Sequence, residues 1–231
     1  MTQLILGLGT KARQGKDSFV DAVECHYLRQ QSAAQAHGLS KFKGVKIQKL
    51  SFADALYKEV NEFLALPGIK KTWLAGADVC VEIAGTSIPS WVKPTPNAEV
   101  NPRAPYGKHP LLLQWWGTEY RRTQDSDYWV KAWAKAIDPT ADIVMTPDMR
   151  FVNEATAVKA KGGYTIRVSR LNSDGTPFVD PTRDANHRSE TELDNYNFDF
   201  RITVKSGEMA LLDEWSIALV YYLRALAKKG K

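Results

Sequence analysis

Cysteine and long apolar runs are scarce in this 231-residue sequence, and each scarcity excludes a class of protein. Two cysteines, Cys25 and Cys80, are too few for a disulfide framework and lack the spacing of a metal site. No apolar stretch approaches the length needed to cross a bilayer, and no charged segment followed by a long apolar run opens the chain. The sequence therefore predicts a soluble, cytoplasmic protein with no membrane partner.

The composition predicts one folded domain. Hydrophobic residues make up 44% of the chain, which suffices for a substantial core, and no shift in composition divides it. The formal net charge of +5 permits nucleic acid as a partner, but a protein that holds phosphorylated ligands also gathers lysine and arginine. Charge alone does not separate these two classes.

The N-terminal stretch carries a phosphate-binding motif. Apolar residues 4–8 precede the turn GTKARQGKDS (residues 9–18), and a helical pattern begins at Phe19. A strand that runs through such a turn into a helix gathers backbone N–H groups around one point, so we predict a P-loop. Thr10 replaces the first glycine of the consensus and Asp17 its hydroxyl residue. An ordinary strand, turn and helix cap is the alternative.

Strand and helix patterns alternate along the chain, which predicts an α/β fold with a mainly parallel sheet and helices on both faces. Four polar or turn residues fall at or just after the C-terminal ends of strands: Gly15, Asp54, Asp148 and Arg170. Open α/β sheets bind their ligands at this edge. We therefore predict that one edge of the sheet collects the polar chemistry.

Two segments depart from the regular pattern. Prolines punctuate residues 68–109, which we interpret as an insertion with no regular element across residues 87–106. Residues 171–188 are rich in Gly, Pro and Asp and are interpreted as a lid. Ser189 to Glu192 fits a capping box at the start of a helix.

Five separated motifs cover most of the chain outside the insertion. They are KARQGKDS (11–18), FAD (52–54), LQWWGTE (113–119) with the arginines after it, DMRFVNEA (148–155) and SETELD (189–194). In this order they resemble the phage-type deoxynucleoside monophosphate kinases of the P-loop kinase group. The resemblance implies a three-layer P-loop kinase sandwich, formed as a single domain over residues 1–231 and often dimeric.

The resemblance also implies an activity. It is transfer of the γ-phosphoryl group of ATP to a deoxynucleoside monophosphate, giving the diphosphate for phage DNA synthesis in the host cytoplasm. Lys16 and the loop amides would hold the ATP phosphates, and Asp17 or Ser18 would hold Mg²⁺. The remaining ATP-binding residues implied are Gly9, Thr10, Lys11, Ala12, Gln14, Gly15, Arg183, Arg188 and Lys205. Arg183 and Arg188, together with Arg13, would serve the transferring phosphoryl group, and Lys205 begins the turn that packs the adenine.

The same resemblance implies an acceptor site. Arg121, Arg122 and Arg150 would hold the acceptor phosphate, whereas Asp54 and Asp148 would orient metal, water or the acceptor sugar and base. The full set of acceptor-binding residues implied is Asp54, Trp116, Glu119, Arg121, Arg122, Arg150 and Arg170. Lys16, Arg13, Asp54, Asp148 and Arg150 form the catalytic set.

Two alternatives remain open. The first keeps the fold but phosphorylates a hydroxymethylated base in DNA. A hydroxyl acceptor must lose its proton, and Asp54 or Asp148 is placed to act as the base. The second alternative is a nucleotide-binding module that holds ATP or DNA without phosphorylating a small molecule.

Overall fold

A computed structural model describes residues 3–39, 43–65, 71–74, 78–83, 86–91, 110–181 and 185–228, with the backbone alone between residues 71 and 91. Its strands are β1 (Leu4–Gly9), β2 (Ile47–Lys49), β3 (Lys71–Leu74), β4 (Asp78–Ile83), β5 (Thr86–Trp91), β6 (Ile143–Met149), β7 (Tyr164–Leu171) and β8 (Phe200–Lys205). Its helices are α1 (Lys16–Ala36), α2 (Ala53–Ala65), α3 (Pro110–Gln114), a π-helix (Trp115–Arg121), α4 (Arg122–Gln124), α5 (Tyr128–Ala136), α6 (Val152–Ala160), α7 (Arg188–Thr191) and α8 (Met209–Lys228).

The chain divides into two compact units. One comprises Met1–Ser51 with Ala134–Lys231, and the other is Phe52–Trp133. The second unit is wider than the insertion expected at residues 68–109, and the single-domain organisation stays a prediction. Among the described residues, no helix is both long and apolar enough to cross a membrane.

The first unit is built on a five-stranded sheet in the order β2-β6-β1-β7-β8, and every strand pair in it is parallel. The predicted α/β class is therefore confirmed, and this sheet is parallel throughout rather than mainly so. Its strand order differs from both the dinucleotide-binding and the flavodoxin-like orders.

Alternation along β1 sends its side chains toward two layers of helices. Leu4, Leu6 and Leu8 lie in one buried cluster with residues of α1 and α8. On the opposite face, a Cβ atom added to Gly7 would lie 2.9 Å from Val158 Cγ2 in α6. Because successive side chains of a strand point to opposite faces, the sheet carries helices on both sides.

The C-terminal end of β1 lies at a switch point of the sheet. Gly9 is in register with Met149 of β6 on one side and with Arg167 of β7 on the other. The chain leaves β1 toward the β2 edge, whereas it leaves β6 across β1 toward β7. Diverging connections leave a crevice beyond the carboxyl ends of the strands, which is where α/β proteins bind ligands. The predicted phosphate loop begins here.

The second unit combines helices with an antiparallel sheet in the order β3-β4-β5. Val60 and Leu64 of α2 pack with Leu112 of α3 in its buried cluster. The expectation of no regular element across residues 87–106 is wrong at its start, because β5 contains Pro89. Proline cannot donate to a ladder, but β5 is an edge strand of the described sheet, where one side needs no ladder bond.

Candidate active site

The loop between β1 and α1 has a tightly specified backbone. Thr10, Arg13 and Gly15 have positive φ angles of 126°, 55° and 95°. Gly15 accepts a 2.9 Å hydrogen bond from the Phe19 N–H, and α1 begins at the next residue. The Thr10 hydroxyl donates a 2.7 Å hydrogen bond to the Val168 carbonyl of β7. Threonine at the first consensus position therefore ties the loop to the neighbouring strand.

Lys16 is buried inside this loop, with 5% of its surface exposed. Its ammonium donates to the Thr10 carbonyl at 3.2 Å and to the Lys11 carbonyl. Burial, and then the nearby Arg150 guanidinium, hold the pKa of Lys16 well below its usual value, whereas Glu190, Asp17 and Asp148 oppose that shift. The loop thus surrounds a cation that is poorly compensated by the protein and that an anionic ligand would stabilise.

Arg150 and Glu190 meet at the same loop from distant parts of the chain. Arg150 Nη1 donates to the Thr10 carbonyl at 2.7 Å and to Glu190 Oε2 at 3.1 Å. The same carboxylate oxygen accepts the Ala12 N–H at 2.8 Å. Behind this group, the buried Glu154 carboxylate accepts the Arg150 backbone N–H at 2.6 Å. The predicted Asp148 precedes Arg150 at the end of β6. Its charge acts on Lys16.

Gln14 and Arg170 form a second group on the β7 side of the loop. The Gln14 side chain accepts the Arg170 backbone N–H at 2.6 Å and donates to the Phe178 carbonyl at 3.0 Å. The Arg170 guanidinium lies over the Phe178 ring at 4.3 Å and donates to Ser206 Oγ at 2.8 Å. The turn that follows Lys205, predicted to face the adenine, is therefore joined to the loop through Arg170. Part of the predicted lid, around Phe178, lies against the loop.

Three basic residues of the predicted phosphate site are held in ion pairs. Lys11 pairs with Asp194 at 3.2 Å, and Arg13 pairs with the buried Asp180 at 3.4 Å. Arg188 pairs with Glu192, and its guanidinium lies 5.7 Å from the Phe151 ring centroid. The Arg13 and Arg188 side chains are 63% and 66% exposed, which leaves them room to turn toward a ligand. Arg183 lies outside the described residues.

Asp17 and Ser18 occupy the first turn of α1 directly after Lys16. The Asp17 side chain is 72% exposed and lies 3.4 Å from the Lys49 ammonium. Within the described parts of the chain, no three His, Cys, Asp or Glu side chains group as a metal site. Mg²⁺ at a phosphate loop takes one or two protein oxygens together with phosphates and water, and a carboxylate and a hydroxyl fit that need.

The remaining predicted acceptor residues belong to the second unit. Asp54 lies in the first turn of α2, Trp116, Glu119 and Arg121 lie in the π-helix, and Arg122 begins α4. Their grouping with the loop of the first unit stays a prediction.

A carboxylate, Glu59, contacts two of these acceptor residues within the second unit. Glu59 accepts hydrogen bonds from Trp116 Nε1 at 2.9 Å, from Arg121 Nε at 2.8 Å and from the Tyr128 hydroxyl. The Arg121 guanidinium also lies near the rings of Tyr120 and Tyr128, 5.1 Å and 4.9 Å from their centroids. The π-helix is thereby fastened to α2 at the point where Arg121 projects.

We expect Glu59→Gln to destabilise the protein at neutral pH by about 1–2 kcal/mol, as loss of hydrogen bonds to a charged group does. Burial would raise the pKa of Glu59, but the hydrogen bonds from Tyr128, Trp116 and Arg121 outweigh burial and lower it. A lowered carboxylate pKa stabilises the fold above the unfolded value of about 4.3, and this stabilisation is lost as the pH falls through the folded value. Urea unfolding followed by tryptophan fluorescence should therefore show the difference between variant and wild type narrowing as the pH falls below about 4.

Glu62→Gln, one turn along α2 at an exposed position, is the matched control. It should unfold like the wild type across the pH range. A Glu59→Gln deficit that stays constant down to pH 3 would contradict the role given to the charge.

No family model and no curated protein matches the chain. The function is therefore inferred from the geometry of the loop and from the motifs around it.

Sequence reasoning missed two carboxylates of this site, Glu154 and Glu190. Both lie in motifs singled out by resemblance, yet neither has a role there. Glu190 lies in the stretch interpreted as a capping box, but the helix α7 begins earlier, and His187 rather than Ser189 caps it through Nδ1. Glu190 therefore lies within α7 rather than in a capping turn, and it is buried.

Proposed function

We propose that this protein is a P-loop kinase that transfers the γ-phosphoryl group of ATP to a deoxynucleoside monophosphate. The observation that carries the proposal is the buried Lys16 ammonium, enclosed by the loop carbonyls at the switch point of a parallel sheet. A desolvated cation at a helix N-terminus suits a polyphosphate far better than a neutral ligand. The three-layer P-loop kinase fold belongs to the same proposal, and the parallel sheet with helices on both faces supports it.

Phosphoryl transfer between these two substrates requires the protein mainly to position them and to neutralise their charge. The acceptor phosphate carries about −1.5 to −2 charge near pH 7, so its oxygen is nucleophilic without a base. That oxygen forms a bond to the γ-phosphorus as the bond from the bridging oxygen to the γ-phosphorus breaks, and the electron pair leaves on ADP. Catalysis then requires cations and N–H donors that neutralise the oxygens of the transferring group.

Residues of the loop and of the strands beside it would have separate roles in this reaction. Lys16 and the amides of residues 13–18 hold the β- and γ-phosphates. Arg150, predicted to hold the acceptor phosphate, already donates to Thr10 of the loop and in this proposal also reaches the transferring group. Gln14 and Arg170 connect the loop to the turn after β8, where the adenine would pack. Asp17 and Ser18 would hold Mg²⁺, which supplies charge neutralisation on the phosphates. Asp148 orients groups beside Lys16.

A panel assay tests the proposal. ATP labelled in its γ-phosphate is incubated with dGMP, dTMP, dAMP, dCMP or hydroxymethylated DNA, and ADP release and the position of the label are measured. We expect ADP release that depends on at least one monophosphate, with the label in its diphosphate. Label in DNA, with activity that falls steeply with salt, would instead identify a hydroxyl acceptor. ATP binding without ADP release in any reaction would identify a binding module.

A further inference from the structure

Glu190 lies at the centre of the loop network although neither its motif nor the proposed chemistry gives it a task. Its side chain is 4% exposed, and it projects from the four-residue helix α7. A carboxylate so deeply buried is costly unless it is hydrogen-bonded to donors or cations. Its burial in direct contact with the phosphate loop is therefore an arrangement that requires a reason.

The contacts of Glu190 join the loop to Arg150, which also contacts the loop directly. One oxygen, Oε2, accepts both the Ala12 N–H of the loop and Nη1 of Arg150. Arg150 Nη1 in turn donates to Thr10 O, two residues before Ala12. The carboxylate, the guanidinium and residues 10–12 thus form a closed ring of hydrogen bonds.

The ring fixes the direction of groups that face the phosphates. The hydrogen bond from the Ala12 N–H to Glu190 fixes the backbone of the loop at Ala12, immediately before residues 13–18, whose amides would face the phosphates. The Arg150 guanidinium, held on one side by Glu190 and Thr10, has few directions left in which to place its other nitrogen atoms. Glu190 also places one negative charge beside the buried Lys16 ammonium and the partly buried Arg150 guanidinium, which repel each other.

We propose that Glu190 is a positioning residue of the phosphoryl-transfer site, which locks the loop at Ala12 and aims the Arg150 guanidinium at the transferring phosphoryl group. The proposal rests on the proposed kinase function. Glu190 does not touch the reacting atoms in this account. It acts through the loop amide and through Arg150.

The position of α7 supports a role specific to Glu190 rather than to the helix. Glu192, two residues away, accepts the Val152 N–H at 3.0 Å and pairs with Arg188, so its contacts lie outside the loop. The carboxylate within α7 and the one at its C-terminal cap therefore make different contacts. Glu192 fastens α7 to the start of α6, whereas Glu190 reaches the loop.

The test compares Glu190→Gln with Glu192→Gln, which make the same chemical change two residues apart, one within α7 and one at its C-terminal cap. Glutamine keeps an acceptor for the Ala12 N–H but loses the charge that holds Arg150. Steady-state kinetics with ATP and the best monophosphate give kcat and KM, and calorimetric titration with ATP counts the competent sites, which corrects for any unfolded fraction. For Glu190→Gln we expect kcat per site to fall about tenfold or more, with KM for ATP changed by less than about threefold.

Glu192→Gln should keep both constants within about twofold of the wild type. Glu190→Ala, which removes the acceptor as well, should lose more kcat per site than Glu190→Gln. Unchanged kcat per site in Glu190→Gln, or an equal loss in Glu192→Gln, would overturn the positioning role. Wild-type protein that binds ATP but releases no ADP with any monophosphate would overturn the kinase function itself, and with it the role of Glu190.

Discussion

Replacing Lys16 with alanine is expected to lower kcat for phosphoryl transfer at least a hundredfold while the protein stays folded. One preorganised charge contact in a water-excluded site contributes about 2.7 kcal/mol or more to the transition state. The fold should tolerate the change, because a buried ammonium is costly to desolvate and Thr10 O, one of its two acceptors, keeps its hydrogen bond from Arg150. Steady-state ADP release and a thermal unfolding midpoint measure the two effects.

Lys16→Met, which keeps most of the side-chain volume without the charge, should behave like Lys16→Ala and exclude a cavity as the cause. Lys161→Met is the matched control, because Lys161 is exposed just before β7, near the N-terminal end of that strand, whereas the loop follows the C-terminal end of β1. It should retain full turnover. Near-normal turnover in Lys16→Met would remove Lys16 from the reaction and the P-loop role with it.

The sequence could predict the central fold because the signals for it are local. The apolar run of β1, the glycine at position 15 and the helix after it are neighbours in the chain, and each follows from short-range rules. The π-helix Trp115–Arg121 could not be predicted, because its hydrogen bonds differ from an α-helix by one residue and leave the apolar pattern almost unchanged. The prediction of no regular element around Pro89 failed for a related reason, since a proline is tolerated in a strand only at the edge of a sheet, and the sequence does not show which strands lie there.

The candidate site likewise combines residues that are close in sequence with contacts between residues that are far apart in the chain. The enclosure of Lys16 by its loop follows from local sequence, because the loop and the helix that it precedes are neighbours in the chain, whereas its phosphate-binding role stays a prediction. The contact of Glu190 with Ala12 could not be predicted, because 178 residues separate the two and nothing in a single sequence pairs them. Thr10 departs from the P-loop consensus, yet its hydroxyl holds the loop by donating a hydrogen bond to β7. A residue that departs from a sequence motif can therefore hold the loop through a tertiary hydrogen bond, here from Thr10 to Val168, which the sequence does not reveal.

Arg150→Met is expected to have the second largest effect, and it should change stability as well as turnover. The guanidinium is the shared partner of Thr10 O and Glu190, and its side chain is 18% exposed. Removing Arg150 leaves the buried Glu190 carboxylate poorly compensated, which costs up to about 3 kcal/mol because the Arg150 side of the pair is only partly buried. We also expect kcat to fall about a hundredfold, because a preorganised donor for the transferring group is lost. Arg150→Lys should recover part of the stability but little of the turnover, since an ammonium lacks the planar fork of donors.

A double-mutant cycle separates the pair from its surroundings. If Arg150 and Glu190 act as one unit, the loss in free energy of unfolding of Arg150→Met/Glu190→Gln should be at least about 1 kcal/mol smaller than the sum of the losses of the two single variants. The reason is that Glu190→Gln removes the charge that Arg150→Met leaves without its partner. Turnover should be non-additive in the same direction, since each single change already breaks the ring that orients the loop. Denaturant unfolding and kcat for the four proteins complete the cycle. Additive losses in both quantities would mean that the carboxylate and the guanidinium serve the loop independently, in which case Glu190 does not aim Arg150.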